Sequence, residues 1–402
     1  MSALMVSTAD MVVAQACVAD PAAVTAYPVT AAMTTTPLPD AMASKLDAAV
    51  RASLGQAAAP GIIAGVLTPD GYWTGAWGVA DPDTGAPMEV GMHTRIGSVT
   101  KTFTVTSLLQ LVEEGKVSLE DTIDQYVDGV PNGDRVTLRQ LANMTSGVLS
   151  YTASEEFFMR YLEQPGLVYT PEDLLGFALP GSPIFEPGAE YDYSNTNTIL
   201  LGLVIEKVTG QSIADVFADR IFQPLGMDNT SWPGTSTEMP EPFPQGITLQ
   251  GNADASAAPV VTTHWNPSGL GAAGALISNM GDLMTYGRAY GTGQGLLKPE
   301  TQEIRLTSFA EPAGYGLGMR CAEGWVGHTG DLPGFNTAVF YDTESDFTVV
   351  VQANSDIKSG DCSGAPVLPD NPTGISCALP ARRVFGAIAE ALGRGFSGPL
   401  PR

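Results

Sequence analysis

Ser98-Val99-Thr100-Lys101 sets a hydroxyl and an amine three residues apart at the start of an apolar-periodic run, residues 102–114, that Gly115 closes. Phe103, Leu108, Leu109, Leu111 and Val112 are its candidate buried positions, and this spacing with a terminal glycine predicts a helix. Residues i and i+3 share a helix face, so Lys101 would stand beside Ser98 and be able to take its proton. A hydroxyl is a poor nucleophile until a neighbouring base activates it. The free N–H groups of a helix start also favour negative charge. Burial there would disfavour the ammonium form of the lysine.

The pattern is cheap by itself. It recurs at Ser355-Asp356-Ile357-Lys358, after the apolar run 347–351 and within a polar stretch ending Ser359-Gly360-Asp361. No apolar helix follows, so a solvated turn is predicted there. For Ser98 and Lys101 alone, the competing explanation is a helix N-cap with an exposed lysine.

The order of further motifs separates the two copies. Pro187-Gly188 precedes Tyr191-Asp192-Tyr193-Ser194-Asn195, and Gly327-His328-Thr329-Gly330 follows much later. A Ser-x-x-Lys, then a Tyr-x-Asn, then a basic residue with Thr-Gly resembles the penicillin-recognising serine hydrolases. The resemblance is to the branch with tyrosine in the second motif: class C β-lactamases, D-alanyl-D-alanine carboxypeptidases, D-aminopeptidases and related esterases. Met144-Thr145-Ser146-Gly147, Pro224-Leu225-Gly226-Met227, Gly271-Ala272-Ala273-Gly274 with Ser278 and Asp282-Leu283, and Tyr315-Gly316-Leu317-Gly318 look like further landmarks of that family. Together they cover roughly residues 45–355 in order.

The resemblance implies an α+β, multi-lobe, β-lactamase/transpeptidase-like fold. An antiparallel sheet flanked by helices would be built from both chain ends, with a mostly helical lobe inserted between them. The α/β lobe is expected over about 41–100 and 285–402, the helical lobe over about 101–284, and the site in the cleft between. Local patterns agree: hairpins are predicted over 61–67 with 72–79, around Pro69-Asp70-Gly71, and over 337–341 with 347–352. Helices are predicted near 42–54, 102–114, 137–144, 172–178, 196–208, 212–221 and 382–392.

The resemblance also implies roles. Ser98 is expected as the acylated nucleophile. Tyr193 is expected to take the serine proton in place of Lys101, or to protonate the leaving group; its alternative is a core tyrosine, the part expected of Tyr191. Asn195 would bond the substrate amide or Lys101, or cap a helix beginning at Thr196. His328 stands where the β-lactamase version has lysine. An imidazole titrates near neutral pH, so the site would lose positive charge as pH rises. Thr329 and Gly330 would meet the substrate's far end, and the N–H groups of Ser98 and Asp331 would form an oxyanion hole. Arg320 resembles the arginine that holds a peptide's terminal carboxylate in the carboxypeptidases, the alternative being a surface arginine.

Asp331 departs from that pattern, which has a hydroxyl residue there. An ionised aspartate pointing inward would repel an anionic terminus by about 1 kcal/mol or more, and would favour neutral esters or amine-terminated cationic peptides. A D-alanyl-D-alanine carboxypeptidase-like activity is the first expectation, an esterase or D-aminopeptidase the second, a β-lactamase the third. A β-lactam or peptidoglycan-binding module without turnover is the non-enzyme alternative. It is disfavoured by the presence together of Ser98, Lys101, Tyr193 and Asn195.

The remaining sequence narrows partners. A chain of 402 residues, 44% hydrophobic, has length for a substantial core. Its net charge of −24, spread along the chain, disfavours nucleic acid and anionic membranes. The three histidines, His93, His264 and His328, have no metal-ligand spacing and no phosphate loop appears, so no cofactor is expected. The substrate is expected to be a small molecule or peptide: a D-amino-acid peptide, an ester or a β-lactam. No run of eighteen apolar residues would span a membrane. Residues 1–40 are expected to form a flexible leader without an intact signal peptide, Ala14-Gln15-Ala16 notwithstanding. The family resemblance favours export to the cell envelope or beyond, with the cytoplasm as alternative.

Four cysteines, Cys17, Cys321, Cys362 and Cys377, permit three pairings. Cys362 and Cys377 bracket a Pro/Gly-rich insertion that stapling would help, and Cys321 resembles a disulfide-bonded position of the carboxypeptidases. At least one disulfide is expected.

Overall fold

Residues 61–68, Gly-Ile-Ile-Ala-Gly-Val-Leu-Thr, are apolar without alternation, and the strand they form is buried along its whole length. A strand of this kind needs cover on both faces, and the computed structural model supplies it. The structure describes residues 16–28, 36–251, 258–309 and 313–396. In chain order the strands are β1 (Gly61–Thr68), β2 (Gly71–Asp81), β3 (Ala86–Pro87), β4 (Thr94–Arg95), β5 (Ile247–Thr248), β6 (Val260–Val261), β7 (Ile277–Ser278), β8 (Arg320–Ala322), β9 (Trp325–Leu332), β10 (Phe335–Asp342) and β11 (Phe347–Ala353). Seven of them form one antiparallel sheet in the order β3-β2-β1-β11-β10-β9-β8. The pairing of β1 with β11 joins the two chain ends, as expected of a β-lactamase/transpeptidase fold.

Helices α1 (Pro21–Thr25), α2 (Asp40–Leu54), α3 (Thr100–Glu113), α4 (Leu138–Ala142), α5 (Glu155–Glu163), α6 (Pro171–Gly176), α7 (Asn195–Thr209), α8 (Ile213–Phe217), α9 (Gln223–Leu225), α10 (Met280–Thr292), α11 (Pro299–Leu306) and α12 (Pro380–Ala391) surround the sheet. Alternation along the strands divides the core. Ile62, Ala64, Val66, Val349 and Val351 pack with Leu46 and Val50 of α2 and Val384, Phe385 and Ile388 of α12. Ile63, Val339 and Val350 face the other way, into the larger core that holds α3, α7 and α10.

Several expectations change. Residues 16–28 of the expected leader form α1, bury Val18 and Val24, and are held by a disulfide between Cys17 and Cys321. Residues 1–15 and 29–35 lie outside the described residues. A second disulfide joins Cys362 to Cys377 across the insertion. The expected lobe boundary at 284/285 would split α10. That helix lies on the sheet, and Gly65 makes room for it: a Cβ there would come 2.6 Å from the Met280 sulfur. The segment 355–358 is no solvated turn, because Ser355, Asp356 and Ile357 are buried. Asp356 is held there by the Thr248 hydroxyl, the Gln250 amide and the Gly334 N–H, and the Ser355 hydroxyl accepts the Ile357 N–H. Among the described residues no helix is long and apolar enough to cross a membrane.

Candidate active site

Ser98 lies in a 3-10 turn, Gly97–Val99, that runs straight into α3. Phe103, Leu108, Leu109 and Leu111 are fully buried as their spacing predicted, but α3 is also buried at Thr102, Thr104 and Thr106. Their hydroxyls bond to the carbonyls of Val99, Ala272 and Thr102 respectively, so these three threonines are satisfied within a buried central helix. Lys101 has no exposed surface; its Nζ stands 2.9 Å from Ser98 Oγ and 2.7 Å from the Ala273 carbonyl oxygen. Burial, and then the charge of Arg320, hold its pKa well below the usual lysine range. The amine form can accept the serine proton while donating to Ala273.

The third motif approaches the same turn. Beyond residue 327 the outer edge of β9 has no β8 partner, and it runs past Gly97 and Ser98. A Cβ at Gly330 would collide with the Ile96 carbonyl oxygen, so only glycine allows this approach. The Asp331 nitrogen lies 3.0 Å from where a Gly97 Cβ would stand, which brings the N–H groups of residues 98 and 331 onto neighbouring segments. Thr329 is half-buried and Asp331 exposed along this edge. Alternation puts both side chains on the opposite face of β9 from His328. The protein packed around its carboxyl, and then the nearby Asp356 carboxylate, raise the Asp331 pKa above the usual carboxylate range although the residue reaches solvent, while Lys358 and Arg382 pull it down.

His328 is buried, with Nδ1 2.6 Å from the Thr329 carbonyl oxygen and Nε2 3.2 Å from the Tyr315 hydroxyl. A carbonyl only accepts, so Nδ1 carries the proton and Nε2 accepts from Tyr315. Burial, then Arg320 and Lys101, push its pKa well below the usual imidazole value. The expected loss of charge near neutral pH therefore does not occur: His328 is neutral there already.

Tyr193 packs against this group, its ring 4.9 Å from Lys101 Nζ and 5.9 Å from the Tyr315 ring. Its hydroxyl is buried without a hydrogen-bond partner. Burial raises its pKa; Arg320 and then Ser98 act in the opposite direction. Tyr191, expected as a core tyrosine, is half-buried, packs on Tyr315 at 6.0 Å and lines the cavity beside Tyr193. Asn195 opens α7 instead of capping it; Ser194 is the N-cap residue. Its amide donates to Thr152 Oγ1 at 2.9 Å instead of to Lys101. Arg320 is 3% exposed, so it is no surface arginine. A cavity of about 620 Å³ opens beside Tyr193 and Asn195, walled in part by apolar Leu149, Ile184 and Phe185 and by acidic Glu190 and Asp192. Among the described residues no cluster of His, Cys, Asp and Glu could hold a metal ion.

A family model described as Beta-lactamase matches residues 46–367. The chain belongs to the beta-lactamase family. Within it, a D-stereospecific amidohydrolase from Streptomyces is 33% identical, with a TM-score of 0.71 covering 79% of this chain and 95% of that one. A D-aminopeptidase of Brucella anthropi is 34% identical over 167 residues, 42% of this chain and 31% of that protein. A penicillin-binding protein of Bacillus subtilis is 26% identical over 298 residues, 70% of this chain and 65% of that protein. The chain thus spans less than two thirds of these curated relatives.

Sequence motifs thus reach Ser98, Lys101, Tyr193, His328, Thr329, Gly330 and Asp331, and the fold gathers the segments that carry them around the turn of Ser98. Two members were missed. The Ala273 carbonyl is invisible because a backbone acceptor has no residue signal, although its Gly-Ala-Ala-Gly turn stood out as a landmark. Tyr315 was noted only as a landmark; it lies ahead of β8, and its bond to His328 crosses to β9.

Proposed function

We propose that this beta-lactamase-family enzyme hydrolyses amides of D-amino acids, or peptides with a free amino-terminal D-residue, through an acyl-enzyme on Ser98. The observation that carries this reading is Asp331, a carboxylate open to solvent at the β9 edge that flanks Ser98. A terminal carboxylate would meet a like charge there, whereas an ammonium group would be attracted and would draw the Asp331 pKa back down. Glu190 and Asp192 in the adjoining cavity add negative charge, and Leu149, Ile184 and Phe185 add room for an apolar side chain. Stereochemistry is inferred from the Streptomyces amidohydrolase and the Brucella D-aminopeptidase. The carboxypeptidase expectation accordingly comes second.

In this mechanism Ser98 Oγ attacks the acyl carbonyl while Lys101 takes its proton. The 2.9 Å Lys101–Ser98 contact favours lysine over Tyr193 as the base, since burial raises the Tyr193 pKa and keeps its phenol protonated while it lowers that of Lys101. The carbonyl oxygen gains charge between the N–H groups of Ser98 and Asp331. Collapse breaks the C–N bond; Tyr193 protonates the departing amine and recovers a proton from Lys101. Water then adds to the ester, gives up a proton to the same base, and releases the acid and Ser98.

The test measures kcat/KM on D- and L-phenylalanine amide and on an N-acylated peptide ending in D-alanyl-D-alanine. D-amide turnover should exceed L-amide turnover by roughly tenfold or more, a difference of about 1.4 kcal/mol, and Ser98→Ala should abolish it. Asp331→Asn should raise KM for the amide. Preference for the carboxylate-terminated peptide, with Asp331→Asn silent on the amide, would overturn the reading.

A further inference from the structure

Arg320 has a guanidinium that no described residue neutralises. Its carbon lies 5.4 Å from the Tyr193 ring centroid and 5.2 Å from that of Tyr315, while Lys101 Nζ approaches the same Tyr193 ring at 4.9 Å. Among the described residues neither cation forms an ion pair. Arg320 Nε and Nη1 are sealed from solvent and meet no acceptor. Every two-pronged face of a guanidinium uses one of those two nitrogens, so the fork that grips a carboxylate is not on offer.

Two buried cations on one ring without a counterion cannot both persist. A guanidinium does not deprotonate in a protein, whereas a buried lysine readily does. We propose that Arg320 is a positioning residue whose fixed charge, stacked on Tyr193 and Tyr315, holds Lys101 as the free amine and favours the phenolate side of Tyr193, instead of clamping a substrate carboxylate. The proposal rests on the acyl-enzyme reading of Ser98 and Lys101, and works in the same direction whichever group accepts the serine proton. After burial, Arg320 is the next cause lowering Lys101, and it opposes the burial-driven rise at Tyr193. The other titratable groups facing this pair are Tyr151, Tyr191 and Tyr315, which are neutral, His328, which is neutral, and Asp331, whose charge acts on Tyr193 against Arg320.

Two measurements test it on the full chain as wild type, Arg320→Gln and Arg320→Lys. The first is an NMR titration of the Lys101 side chain, which needs no turnover. The second is the pH dependence of kcat/KM on p-nitrophenyl acetate, which carries neither carboxylate nor ammonium and so leaves a clamp silent. Removing a cation makes Lys101 easier to protonate, so its titration and the acid limb should both move to higher pH in Arg320→Gln. A one-unit move is a tenfold loss of kcat/KM below the limb. Arg320→Lys should fall between, because a buried lysine sheds its own proton. It carries the test alone if the glutamine variant does not fold. An unmoved Lys101 titration and limb, with KM raised only on a carboxylate-terminated peptide, would overturn the proposal. Absence of D-amide turnover would sink the proposed function while leaving the titration to judge Arg320.

Discussion

Lys101 Nζ donates to the backbone carbonyl of Ala273, 172 residues away, and this bond aims the amine at Ser98. The 3-10 turn Gly271–Ala273 thus fixes a side chain that a lone helix would leave free to turn into solvent.

Lys101→Met tests this relationship. It keeps the buried volume and removes the proton acceptor, so kcat/KM should fall by roughly 10² to 10⁴. The desolvated amine disappears while the Ala273 carbonyl loses its partner, two effects of opposite sign, so Tm should barely move. A steady-state assay beside a thermal melt checks both, and a variant that unfolds would show Lys101 to be structural.

His328 gives a pH dependence of stability. Its pKa is held well below the usual imidazole value when folded, mainly by burial. The unfolded chain therefore binds the extra proton, and stability rises with pH until the unfolded imidazole deprotonates near about 6.5. Acidification below that value should lower Tm, and His328→Gln should flatten the slope. Melts across the acid range decide it; parallel slopes would mean that His328 is protonated in the fold.

Arg288 and Asp346 form a buried ion pair at 2.9 Å, with the Tyr341 hydroxyl also donating to Asp346 and Arg288 donating to the Pro28 carbonyl. Arg288→Met strands the carboxylate, and breaking such a pair costs about 3–5 kcal/mol. Chemical denaturation should show that loss with no change in the acid limb of kcat/KM. The same carbonyl bond anchors residues 16–28, so proteolysis there should speed up.

What the sequence determined was local. A serine and a lysine at i and i+3 specify a shared face, the apolar run 61–68 specifies a strand buried on both sides, and Pro69-Asp70-Gly71 specifies the turn between β1 and β2. Motif order carried these into the right family because the motifs lie on the elements that bound the cleft. Tertiary structure decided the rest. Arg320 reads from sequence as a clamp or a surface residue; the fold buries its Nε and Nη1 and sets its guanidinium beside two rings. The Cys17–Cys321 bridge spans 304 positions, and Asp356 is buried by partners more than a hundred residues distant or across a turn. Periodicity reports only which face of its own element a residue occupies. Which charges then meet on that face, and whether water reaches them, depends on segments that only the completed fold brings together.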